Sequence, residues 1–106
     1  MSDILERIKA RHAAKPDIPI SVPEWELEAF IRPLSAGKVM SLRKLNDQAH
    51  VAAQTIIHGL VDKAGNPIFK DDADTQAALV GERWLLIDRI AAAIMLEGNT
   101  RDLAKN

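Results

Sequence analysis

The chain has 106 residues, 47% of them hydrophobic and 27% charged, with a formal net charge of −1. That length suits one globular domain with a modest core, and the charge balance excludes a general attraction to nucleic acid or anionic membrane. Cysteine is absent, which excludes a disulfide framework, a thiolate nucleophile and a Cys-ligated zinc site.

Asp3, Glu6 and Arg7 stand where a signal peptide needs an apolar run. The richest apolar stretch, residues 90–96, is far too short to span a bilayer. The expectation is a soluble protein of the cytoplasm.

Ser2 is placed to cap a first helix, with Ile4, Leu5 and Ile8 on one face and Glu6, Arg7 and Lys9 on the other. Alone, so short a helix is marginal in water. It is either a frayed N-terminal arm or a docking arm that lays its apolar stripe on a partner. Lys15-Pro16-Asp17 ends it.

Ile18, Ile20 and Val22 alternate with Pro19 and Ser21, the period of a strand. Pro19 has no N–H, which assigns the strand to a sheet edge. After a turn near Pro23-Glu24, Trp25, Leu27, Ala29 and Ile31 form a second inward set, with Glu26, Glu28 and Arg32 outward. Phe30 falls on the polar face, so either the strand is bulged or an aromatic is exposed. Such a hairpin needs helices to pack on.

Ser35 suits the N-cap of a helix carrying Val39, Met40, Leu42 and Leu45. Asn46-Asp47 breaks or kinks the pattern. A further helix is expected over residues 50–61, then a turn through Asp62-Lys63-Ala64-Gly65-Asn66-Pro67 and a short extended Ile68-Phe69. Asp71, Asp72 and Asp74 suit the positive end of a helix reaching Val80, with Gly81 as its stop. The final helix, residues 82–97, is apolar around most of its circumference and is expected to be central. A polar tail, residues 98–106, follows.

The chemistry is silent. His12, His50 and His58 match no HExxH or zinc-finger spacing. A calcium loop counted from Asp72 fails at its sixth position, Ala77, and its twelfth, Arg83. Glu24, Glu26 and Glu28 read as one solvated strand face, and Ser21, Ser35 and Ser41 lack a nucleophile elbow. No phosphate-cradling glycine loop exists. The expectation is a non-enzyme without cofactor or metal. Lys38, Arg43 and Lys44, with Arg32 near them in sequence, make a small basic patch, so a small helical nucleic-acid-binding regulator is the competing reading, although a recognition helix normally brings more charge.

Two segments carry a resemblance. The first is Val22-Pro23-Glu24-Trp25 followed by Phe30-Ile31-Arg32-Pro33-Leu34-Ser35; the second is Ile56-Ile57-His58-Gly59-Leu60-Val61-Asp62-Lys63-Ala64-Gly65-Asn66-Pro67-Ile68-Phe69. In joint order and spacing they resemble the tail assembly chaperones of long-tailed phages and prophages. The likeness covers residues 18–97. It departs from the family at the charged Trp25-Glu26-Leu27-Glu28 segment and in the N-terminal helix, which has no clear counterpart.

The resemblance implies a binding protein of the host-cell cytoplasm, absent from the mature virion, that coats the tape measure protein and keeps its apolar stripes from aggregating. It further implies a longer frameshifted form that recruits tail tube protein, this chain being the short form. Ala104-Lys105-Asn106 can be spelled with a slippery A-AAA-AAC run, which the protein sequence permits without requiring. No nucleic-acid or membrane partner is expected, and self-association is left open.

The expected architecture is a single α+β, mainly α domain over residues 1–106: a helical arm (1–15), a β-hairpin (18–33) packed on about four helices (35–97) with the last one central, and the tail. Ile4, Leu5, Ile8 and Phe30 are the expected exposed partner contacts. Trp25 and Trp84 are expected in the core.

Overall fold

The computed structural model describes residues 2–13 and 16–97. The expected polar tail and the proposed stop at Lys15 lie outside the described residues. The described residues form five helices and a three-stranded antiparallel sheet, a mainly helical α+β fold.

Alternation builds the hairpin. β1 (Ile18–Val22) and β2 (Leu27–Ile31) pair from Ile18↔Ile31 to Val22↔Leu27, burying Val22, Ala29 and Ile31. β1 is an edge strand, so the missing N–H of Pro19 costs the sheet interior nothing. At the tip, Pro23–Trp25 winds into a 3₁₀ turn, and Glu26 closes it in the left-handed region at φ 51°, its N–H donating to the Pro23 carbonyl at 3.0 Å.

That turn corrects the expected row of glutamates. Glu24 lies in the turn and Glu26 at its left-handed end, leaving Glu28 alone on the strand, where it accepts from the Ser21 hydroxyl at 3.1 Å. Phe30 also differs from both expected alternatives. β2 is regular, and Phe30 is half-buried because its register partners Pro19 and Val61 flank it on the same face.

Val61 belongs to a strand that periodicity places in a helix. α3 (Gln48–Gly59) stops at Gly59, and β3 (Leu60–Val61) pairs with β2 through Phe30↔Val61 and Ile31↔Leu60. The turn behind it fixes this pairing. The Asp62 carboxylate accepts from the N–H groups of Ala64 and Asn66, both at 2.9 Å, and Gly65 takes φ +94°. The chain then returns antiparallel, bridging Val61 to Pro67.

Side-chain caps start three helices. Ser35 accepts from Lys38 N at the head of α2 (Ala36–Arg43), Asp47 from Ala49 N at α3, and Asp72 from Thr75 N at α4 (Ala73–Val80). α5 (Trp84–Met95) packs its inner face, Leu86, Ile87, Ile90, Ala91 and Ile94, on α3, with Ala52, Ala53, Ile56 and Ile57 opposite. Gly59 permits the close approach of the two helices, since a Cβ there would overlap the Ile94 side chain. The sheet contributes its buried face and α4 contributes Leu79. Each fully buried Ile of this core contributes about 1.5–3 kcal/mol of hydrophobic stabilisation. α5 is central, as its composition predicts, and shares that place with α3.

Candidate functional site

α1 (Ser2–Ala13) carries its apolar stripe outside the core. Ile4 is 56% exposed, Leu5 58% and Ile8 48%, and every described side chain from Asp3 to Arg11 is exposed. α1 packs extensively on no other element among the described residues. Three of the four expected contacts therefore stand on one uncovered helix face. Phe30, the fourth, is half-buried in the sheet and is not joined to them.

A second apolar surface was hidden in the sequence by the composition of α5. Trp84 is 48% exposed and Leu85 81%, with Met95 on the same outer face a little under three turns along. The expected core placement of Trp84 is corrected: one helix face meets α3, and residues 84, 85, 88 and 95 point away from it. Asp88 and Arg89 punctuate this face. Arg89 is drawn to the hairpin tip, where its guanidinium donates twice to the Glu24 carboxylate, at 2.8 and 3.1 Å. That fork holds the exposed Glu24 carboxyl below its ordinary range. Helical apolar periodicity alone does not single out Trp84 and Leu85 on a helix as apolar as α5.

Trp25 is half-buried, as a core-edge residue. Its ring meets Phe69 edge to face at 5.8 Å, and its indole N–H donates to Glu82 at 2.9 Å. This bond, with a second from Arg83 N, lowers the Glu82 carboxyl from its ordinary value. Trp25 and Phe69 with Leu27, Ile68, Ala78 and Leu79 line an apolar groove of about 580 Å³ between hairpin tip and α4, and Asp74 and Glu82 stand at its rim.

A larger, more polar cleft of about 740 Å³ opens at the other end of the hairpin. Arg11, Arg32, Lys38 and His58 line it together with Asp17 and Glu97. Arg32 donates to the Gly65 carbonyl at 3.2 Å, and Asp17 and Glu97 share the lining with Arg11 and Lys38. His58 contacts the Gln54 amide oxygen at 3.1 Å and Asp71 at 3.4 Å. Burial pushes its imidazole below the ordinary value and Lys38 adds to this, while Asp71 opposes both. Gln54 in turn donates to Gln76 at 2.7 Å, so these groups tie α3 to α4. Among the described residues, no group of three or more His, Asp or Glu side chains is placed to hold a metal ion. The side chain of His12 lies outside the described residues.

No described helix is long and apolar enough to cross a membrane. No family model, curated protein or solved structure matches the chain.

Proposed function

We propose that this chain is a tail assembly chaperone of a long-tailed phage or prophage, in its short form, which binds the tape measure protein and keeps it soluble while the tail is built. The observation that carries this reading is the outer face of α5, where Trp84, Leu85 and Met95 are exposed on a helix whose opposite face anchors the core. Large apolar side chains held outward on a rigid element suit repeated, reversible contact with the apolar stripe of a long client helix.

Support also comes from the two segments of the resemblance. Val22-Pro23-Glu24-Trp25 makes the hairpin tip, and Asp62 to Phe69 makes the turn that returns to β3. Both are positions where backbone geometry restricts residue choice. The proposed role is binding without catalysis, in the host-cell cytoplasm. A longer frameshifted form would bring tail tube protein to the coated client.

Capture tests the reading. The tagged chain, co-produced with the tape measure protein of its own gene cluster, is expected to retain that protein through purification. Failure of the client to co-purify, together with salt-dependent binding to duplex DNA, would replace the chaperone by the nucleic-acid-binding regulator.

A further inference from the structure

The outer side of α5 has a shape as well as a composition. At helical spacing Trp84 and Leu85 stand together at its start, and Met95 and Leu96 at its end, about 16 Å further along the axis. Between these bulky ends the same side carries Asp88, Arg89 and the short side chain of Ala92. Arg89 is drawn off to the hairpin tip by its two bonds to Glu24, so the surface dips at Ala92. A helix with its side chains is about 10–12 Å across and fits over such a saddle. An alanine at the crossing point lets two helix axes approach toward the close end of the usual 8–10 Å.

The floor of the saddle is charged. Asp88 is exposed, four residues after Trp84 and four before Ala92, with apolar side chains on either side of it. It forms no ion pair among the described residues, because the cation beside it, Arg89, faces Glu24 instead. In water this carboxylate is solvated at no cost. Under an arriving helix it loses that water, and a purely apolar partner would leave the charge uncompensated at a cost of several kcal/mol.

We propose that the saddle takes one amphipathic helix lying across α5, its apolar side chains against Trp84, Leu85 and Met95 and a lysine or arginine of its own over Asp88. This rests on the reading of the α5 face as the client surface and adds the chemistry of the client, a basic residue beside the apolar stripe. Asp88 is then a specificity-determining residue, since it repels a helix that brings a carboxylate to the same place.

Two synthetic helices of about 18 residues, alike in leucine pattern and differing only in a lysine or a glutamate beside the stripe, test this by fluorescence anisotropy against the full chain. The wild type is expected to bind the lysine peptide about tenfold more tightly than the glutamate peptide, and Asp88→Lys to reverse that order. Ala92→Leu raises the floor of the saddle and is expected to weaken both peptides about tenfold. Circular dichroism is expected to be unchanged in both variants. Binding of neither peptide, an order that Asp88→Lys leaves as it was, or indifference to Ala92→Leu would each overturn the proposal. So would self-association of the chain that Leu85→Asp abolishes, since a second copy would then cover the face. Capture of the tape measure protein separates the two readings. Equal retention by the wild type and Asp88→Lys overturns the role of Asp88 alone; retention by neither overturns the chaperone reading, while the two peptides still decide what the saddle binds.

Discussion

Gly59 shows how much one side chain decides in this molecule. It ends α3 where α5 comes closest, and a Cβ would enter the space of Ile94. Gly59→Ala is expected to cost about 1–3 kcal/mol in urea unfolding with an unchanged slope. Pairing it with Ile94→Val, which removes a methyl group, should recover part of the loss. His58 decides something different, the acid limit. Burial lowers its folded-state pKa, so the unfolded chain binds the proton more readily. Its contribution is therefore complete above the ordinary value of 6.5 and is lost as pH falls below it. Urea midpoints taken at pH 7 and pH 5 are expected to fall less for His58→Gln than for the wild type. The lowered carboxyls of Glu24, Asp72 and Glu82 add a second loss at more acid pH, below the ordinary carboxylate range.

At the scale of elements, stability is divided unevenly. α3 and α5 form the core with the inner face of the sheet, whereas α1 contributes no buried side chain among its described residues. Deleting residues 2–13 is expected to change the unfolding free energy, measured at dilute concentration, by no more than about 0.5 kcal/mol. Asp47→Ala, by contrast, removes the bond to Ala49 N that starts α3 and is expected to cost about 1 kcal/mol.

The same division explains what could be read from sequence. Caps at Ser35 and Asp72 and the stop at Gly81 are local signals, and each sits where its residue type predicts. The hairpin followed from period-two alternation, and the uncovered stripe of α1 from helical spacing. β3 was illegible because Leu60 and Val61 are extended only through pairing with β2, which lies about thirty residues earlier in the chain. Trp84, expected in the core, stands 48% exposed because α5 is apolar nearly all round. Which face is buried is set by packing on α3, and within α5 only the charges of Asp88 and Arg89 mark the outer side. The groove joins Trp25 to Phe69 and Leu79, a juxtaposition that exists only once hairpin and α4 meet.

For the whole molecule, the arrangement separates folding from contact. The inner face of α5 holds the domain together, while Trp84, Leu85 and Met95 on its outer face stand exposed with the core closed. Leu85→Asp places a charge at a position 81% exposed, so the variant is expected to fold with wild-type thermal stability while losing its client surface. The most direct measurement is the soluble fraction of the tape measure protein when produced alone, with the wild-type chain, or with Leu85→Asp. The account predicts a soluble complex only with the wild type and an insoluble client in the other two cases. A client equally soluble without the chain, or equally protected by Leu85→Asp, would contradict it.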